Sequence, residues 1–338
     1  MSAASETSKR SEAPNADTGE HAVLIGLSAA IVSVLDERPR VLVVHRTGGA
    51  DALPFGNFDP LSHRTLESGL RSWVEEQTRL QLGYVEQLYT FGDRGRHLIR
   101  PGEGPRVVSV GYLALTRFPL EAVPGVQWRD WYYFFPWEDW RDAMPPMIAS
   151  VIAPRLNSFA DTAPNSEVRQ IRRDRIRLCF GRDGAGWDEE KILERYELLY
   201  EAGLVGEAQR DRGAHPVGGP IPQLGASMMF DHRRILATAM GRLRGKMKYR
   251  PVVFELMPAE FTLLELQRTV EAISGIRLHK QNFRRLVEAQ GLVEGTGRMS
   301  RKTRGRPAEQ FRFRKEVLRE RPAPGVRVGA GRSGRAQS

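Results

Sequence analysis

Between Thr262 and Gly291 the sequence writes two helices joined by a turn of about four residues, Gly275 to Leu278, and few folds accommodate that spacing. Thr262 and Glu265 stand in the S/T-x-x-E spacing of a capping box, which satisfies free N–H groups at a helix start. Gly275 marks the end of that helix, because glycine enters the left-handed conformation of a C-terminal cap without steric cost. LHKQNFRRLVEAQG then gives a second helix that stops at Gly291. Leu278, Phe283, Leu286 and Val287 supply its core side, which leaves Lys280, Gln281, Arg284 and Arg285 pointing outward. A longer helix, Asp231 to Tyr249 with Asp231 as N-cap, comes before. Two short strands, LVEGTG and AEQFRFR, come after, around a basic loop. Helix, turn, helix, hairpin is the outline of a winged helix-turn-helix.

The charge distribution points the same way. The chain has 51 Lys and Arg against 41 Asp and Glu, a net of +10. Residues 277–338 hold 17 of the former and 5 of the latter, so +12 lies there and −2 on the other 276 residues. A near-neutral body with a strongly basic end fits a polyanion partner. The start of such a helix meets base edges in a major groove. Gln281 and Asn282 suit adenine there, and Arg284 and Arg285 suit guanine or phosphate. The loop carries Arg298, Arg301, Lys302, Arg304 and Arg306 within nine residues, a guanidinium-rich tip able to enter a narrow minor groove. Thr262 is grouped with these candidate DNA contacts. No surface interleaves aromatic and basic residues for stacking single-stranded bases, which favours duplex DNA over RNA.

The front half reads differently. HAVLIGLSAAIVSVLD (His21–Asp36) and RVLVVHR (Arg40–Arg46) are β-branched apolar runs expected to be strands, with further strands at Leu88–Phe91 and Val107–Thr116. LPFGNFDP is a Gly/Pro loop, and a helix is expected from about Thr65 to Arg79. WYYFFPWEDW (Trp131–Trp140) is expected to be an aromatic strand and turn. Helices are expected over Val168–Phe180 and Trp187–Gly203, and a linker over Ala214–Gly225. This order gives an α+β sandwich of about 130 residues before the basic module. No apolar run reaches the ~18 residues that would cross a bilayer. The first twenty residues lack an apolar signal region and read as a disordered polar tail. A single cysteine, Cys179, excludes an internal disulfide and fits a reducing, cytoplasmic setting.

The helix LRSWVEEQTRL (Leu70–Leu80) places Glu75 and Glu76 after Arg71. Hydrolysis of a diphosphate needs a divalent metal held by carboxylates and an activated water. Glu75 and Glu76 are the only candidates to hold Mg²⁺, and Ser72 stands where a third carboxylate is wanted. Catalytic residues are therefore not assigned. Arg46, Arg71 and the Phe55-Gly56 loop are the candidates for contacting a pyrophosphate, since arginine binds phosphate in bidentate fashion. Glu67, Arg71 and Glu75 also lie four apart, the spacing of an ion ladder along one helix face.

Leu53–Leu80 resembles a degenerate Nudix box, G-x5-E-x7-R-E-U-x-E-E-x-G-U. Arg71, Glu75 and Glu76 match it; His63, Ser72, Thr78 and Arg79 depart from it, and LPFG replaces LPGG. FDHRRIL…RLRGKMKYRPVVFELMPAEFTLLELQRTVEAISG and NFRRLVEAQGLVE…GRPAEQFRF are similar to the Nudix-related transcriptional regulators of NAD metabolism. The longer Pro164–Gly225 connection resembles the alphaproteobacterial subgroup that controls NAD biosynthesis genes. The resemblance implies a homodimeric repressor on a palindromic operator, with ADP-ribose or a related adenine dinucleotide as effector. The alternative is an active Nudix pyrophosphatase acting on ADP-ribose or a dinucleotide. The expected organisation is a tail (1–20), a Nudix-like α/β/α sensor (21–161), a helical insertion and linker (162–227), a winged helix-turn-helix (228–316) and a basic disordered tail (317–338).

Overall fold

The computed structural model describes residues 23–45, 50–93, 106–117, 123–212, 224–300 and 307–320. β1 (Val23–Leu35), β2 (Arg38–Val44), β3 (Phe55–Asn57), β4 (Tyr84–Phe91), β5 (Arg106–Leu115) and β6 (Val126–Asp130) form one mixed sheet. Its order is β4-β5-β1-β2-β6, with β3 also on β1. β1 and β5 run parallel and the other pairs antiparallel. The continuous apolar run of β1 has a simple cause: both faces are buried. Leu27, Ala29 and Ile31 point to one side, where α1 (Leu66–Thr78) lies with Leu70 and Val74. Ala30 and Val32 point to the other, into a larger core shared with the rest of the chain. Helices thus cover both sides of the sheet.

The aromatic run at residues 131–140 is not a strand. It forms a short helix, α2 (Trp131–Phe134), and a 3-10 turn at Pro136–Glu138. Asp130 caps α2 by accepting the N–H of Tyr132 at 2.9 Å, and Trp131, Phe134, Phe135 and Trp137 are wholly buried. In a strand every second ring would face away from this core. A π-turn (Ile148–Ile152) leads into α3 (Ala153–Asp161). α4 (Ser166–Cys179), α5 (Ile192–Glu201) and α6 (Gly206–Arg212) follow; α5 starts five residues later than Trp187. These three helices contribute Ile176, Ile192, Tyr196, Leu199 and Ala208 to the large core. The expected linker falls mostly outside the described residues.

α7 (His232–Met247) is the axis of the molecule. It packs on the sheet at β1, β4 and β5 and on α5, and meets α8 (Leu263–Ser274) at its far end. Gly111 on β5 permits this approach, because a side chain there would press on Ile235 and Phe91 at 3.0 Å. α9 (Lys280–Ala289), β7 (Val293–Ser300) and β8 (Ala308–Phe313) complete the C-terminal module. One apolar core therefore runs from the sheet, through Ile235, Met240 and Leu243, to Val270, Phe283 and Val287.

A polar cluster ties these parts together. Glu138 is 1% exposed. Its carboxylate accepts two bonds from Arg195 at 2.6 and 2.8 Å and one from Arg244 at 3.0 Å. Arg195 also donates to the carbonyls of Cys179 and Asp188, and Arg244 to those of Ile273 and Glu189. A second buried pair, Arg233 with Glu207 at 3.2 Å, joins α7 to α6, and Arg233 also reaches the carbonyls of Phe134 and Leu224. Breaking such a pair leaves an uncompensated buried charge, at a cost of about 3–5 kcal/mol. Glu138→Gln is therefore expected to lower unfolding stability by roughly 3 kcal/mol. In urea, the far-UV and tryptophan signals should shift together; a midpoint equal to that of the wild type would show that the carboxylate holds nothing.

Candidate nucleic-acid interface and effector pocket

The C-terminal module is built from its turn outward. Thr262 caps α8: its hydroxyl accepts the N–H of Glu265 at 3.2 Å, and the Glu265 carboxylate accepts the N–H of Thr262 at 2.7 Å. Thr262 is 2% exposed, so its grouping with the DNA contacts is corrected. Its hydroxyl is spent inside the cap. Gly275 ends α8 at φ 75°, and a side chain there would strike the Glu138 carbonyl. Glu271 then organises the turn. It accepts the N–H of Leu278 at 3.0 Å and bonds from Gln267 at 2.8 Å and Arg277 at 2.9 Å. Burial pushes its pKa up, but these donors outweigh burial and hold the carboxyl below its ordinary 4.5.

The braced turn presents α9. Phe283 and Val287 are buried, and Leu278 and Leu286 are half-buried against the core. Lys280, Gln281, Arg284 and Arg285 are exposed, on the side that the periodicity assigns to them, and Asn282 is exposed as well. The hairpin behind them is anchored by Phe254 stacking on Phe313 at 4.3 Å and by a bridge between Phe261 and Phe311. Arg298, near the loop end of β7, is 71% exposed and pairs with Glu260 at 3.0 Å. Arg301, Lys302, Arg304 and Arg306 lie outside the described residues.

In the N-terminal domain the box helix is clamped to the LPFG loop. Gln77 completes a pseudo-strand with Phe55, donating to its carbonyl at 2.6 Å and accepting its N–H at 3.4 Å. The Trp73 indole donates to the Asn57 carbonyl at 2.8 Å and lies flat on Gly56, where a methyl group would collide with it. Arg71 follows the ion-ladder spacing toward Glu67. It donates to Glu67 at 2.9 Å and to the carbonyls of Leu82 and Gly83, closing the loop after α1. A guanidinium so engaged ties the helix to its own loop. Arg46 lies outside the described residues. Glu75 and Glu76 are exposed, and no group of three His, Cys, Asp or Glu suited to a metal occurs among the described residues. The donor set does not fit a catalytic Mg²⁺ centre.

One feature here escaped the sequence. Phe55 packs edge-on against Phe230 at 5.3 Å and His232 at 5.1 Å, the residues that open α7. The Leu53 N–H donates to Nδ1 of His232 at 3.1 Å, and Nε2 faces the Ser28 hydroxyl at 3.4 Å. With Nδ1 accepting, a neutral ring carries its proton on Nε2 and donates it to Ser28. The FDH tripeptide before a long helix was the available signal, but nothing local shows that it meets a loop 175 residues earlier.

These geometries agree with the comparisons. Residues 253–313 match the NrtR DNA-binding winged helix domain. The chain is 42% identical over 86 residues to the ADPR responsive transcriptional repressor NtrR of Acinetobacter baylyi; the match spans 25% of this chain and 34% of that relative. Shewanella oneidensis NrtR, solved alone, superposes with a TM-score of 0.51 at 21% identity, over 87% of this chain and 95% of that one. Its complex with a 27mer DNA superposes with a TM-score of 0.50 at the same identity and coverage. The chain has the fold of a Nudix-like domain joined to a C-terminal winged helix. More narrowly, it is similar to the NrtR regulators.

The depressed Glu271 pKa carries a sign. Its stabilising contribution is complete above pH 4.5 and is lost as pH falls through the lower folded-state value. Thermal melts should show Glu271→Gln destabilised at neutral pH, with the gap to wild type narrowing below about pH 4.5. A gap that widens on acidification would contradict the turn assignment.

Proposed function

We propose that the chain is a DNA-binding transcriptional repressor of NAD biosynthesis or salvage genes, released or engaged by ADP-ribose or a related adenine dinucleotide. The observation that carries this reading is the match of residues 253–313 to a DNA-binding winged helix whose α9 exposes Lys280, Gln281, Asn282, Arg284 and Arg285. Helix N-terminal polar groups are the ones that reach base edges in this fold. The wing residues Arg301, Lys302, Arg304 and Arg306 add minor-groove or phosphate contacts in this reading. The effector comes from the Acinetobacter relative, whose name states its response to ADP-ribose. Two copies form a homodimer on a palindromic operator, since two-fold symmetry in the protein calls for two half-sites. The long 164–225 segment supports assignment to the alphaproteobacterial subgroup, acting in the cytoplasm.

The Nudix-like domain serves as sensor. Ser72 in place of a carboxylate and the exposed, isolated Glu75–Glu76 pair support a pocket without hydrolase activity. Effector contacts then fall to the Phe55-Gly56 loop and to Arg46. Phe55 links that loop to Phe230 and His232, and these lead directly into α7. A ligand that shifts Phe55 acts on the base of the helix that carries the DNA-reading head. Phe55→Ala, which leaves α9 untouched, supports this route if it abolishes the ADP-ribose response while operator affinity stays within about threefold.

The deciding experiment is a gel shift on promoter fragments of NAD genes, titrated with ADP-ribose, NAD and nicotinic acid mononucleotide. Arg284→Ala should cost about 1–3 kcal/mol in operator binding. A parallel assay for ADP-ribose turnover with Mg²⁺ or Mn²⁺ is expected to show none. No binding to any fragment, together with rapid turnover lost in Glu76→Gln, would replace the repressor with a pyrophosphatase.

A further inference from the structure

We propose that a cleft between α3 and α4 grips backbone phosphates of duplex DNA beside the segment read by α9, a proposal that rests on the DNA-binding reading above. The cleft has a volume of about 330 Å³. Its walls carry Arg173, Arg177 and Arg182 against Asp161 and Asp183, with Asn157 at its edge and buried Ile176 among its lining residues.

α4 is an arginine-rich helix whose arginines divide into two kinds. Arg172 lies over the Phe159 ring at 3.9 Å and donates to the Phe159 carbonyl at 2.6 Å. Arg175 makes a double bond-pair with Glu201 at 2.6 and 2.8 Å. Both are held in the helix packing. Arg173 and Arg177, one turn apart, turn instead into the cleft, and Arg182 is folded back beside them by its N–H bond to the Arg177 carbonyl at 3.0 Å. Their existing pairs are weak. Arg173–Asp161 spans 2.9 Å with both side chains more than half exposed, and Arg177–Asp174 is 3.9 Å long. Exposed pairs of this kind contribute about 0–1 kcal/mol and give way to a better anion. Arg182 forms no ion pair among the described residues. Three guanidiniums around a concave site, each with spare N–H donors, fit phosphate oxygens in geometry as well as charge.

The packing around the cleft favours DNA over a free anion. The loop after α4 carries Trp187, which stacks on Trp140 at 4.2 Å. The Trp140 N–H donates at 2.7 Å to the carbonyl of Gly275, the residue that opens the turn into α9. The loop that carries Arg182 is thus joined, through Trp187 and Trp140, to the residue that opens the turn into α9. Phosphates contacted there position the duplex without reading its sequence.

The test uses the full-length protein and the double variant Arg177→Ala/Arg182→Ala, with Arg173→Ala as an independent second variant. Operator affinity is measured by fluorescence anisotropy from 50 to 300 mM salt, on a long duplex and on one trimmed to the core site. The expected result is a salt dependence shallower by about one to two on the long duplex, since each lost phosphate contact removes about 0.9 from the slope. Affinity should fall several-fold on the long duplex and stay unchanged on the trimmed one. Wild-type slopes in both variants would overturn the proposal while leaving the repressor reading intact. So would unchanged DNA binding accompanied by loss of inorganic phosphate or pyrophosphate binding in calorimetry, which would make the cleft a small-anion site. A wild-type protein that binds no duplex overturns both readings.

Discussion

A buried glutamate fixes how the two halves of this molecule meet. Glu138 follows the last strand of the sheet, Arg195 sits on α5 and Arg244 on α7, and Arg244 also holds the Ile273 carbonyl at the end of α8. Four distant parts of the chain converge on one carboxylate. Taking a carboxylate out of water costs several kcal/mol, and the return depends on geometry and on satisfied donors. Here the guanidinium groups spend further N–H donors on backbone carbonyls, so the cluster is close to saturated. An apolar cluster of the same volume would be comparably stable. The gain from ions is direction: a bidentate pair tolerates one orientation, whereas packed leucines tolerate several. The winged helix is therefore seated on the Nudix-like domain in a defined pose and not hung from a tether.

The box helix is bound to the backbone on either side of it by its own polar side chains. α1 directs Arg71 to the Leu82 and Gly83 carbonyls, Gln77 to both backbone groups of Phe55 and Trp73 onto Gly56. Each contact closes the loop and helix on one another. Gln77 and Trp73 stiffen the LPFG loop against the helix. The stiffness has an outlet, because Phe55 touches both Phe230 and His232, and the Leu53 N–H bonds to His232 as well.

Local signals were legible and distant ones were not. The capping box at Thr262–Glu265, the stop at Gly275 and the outward set Lys280, Gln281, Arg284 and Arg285 could all be read, because each depends on neighbours within one or two turns. The two-faced burial of β1 was visible as an unbroken apolar run. The aromatic run at 131–140 misled, since β propensity favours those rings while an aspartate cap and a proline two residues past the helix decide otherwise. Arg71 and Thr262 were assigned outward roles because residue type says nothing of which carbonyl or cap lies within reach. The Glu138 cluster was invisible, as its members are 57 and 106 positions apart.

Rigidity of this kind sets terms for any ligand response. α7 has 16 residues, so it spans about 24 Å, and a tilt of only ~5° at its start moves its far end by about 2 Å. A displacement of that size in each half of a symmetric pair is enough to spoil a fit to two half-sites at fixed spacing. The aromatic contacts of Phe55 are each of the order of 0.5–1.5 kcal/mol. Making or breaking two of them gives the few kcal/mol of differential binding needed to move a two-state population substantially. A tethered head would lose that leverage, because tilt at the sensor would dissipate in the linker. In the proposed repressor, the buried ion cluster at the α7–α8 end is what makes a small rearrangement at the LPFG loop readable by DNA.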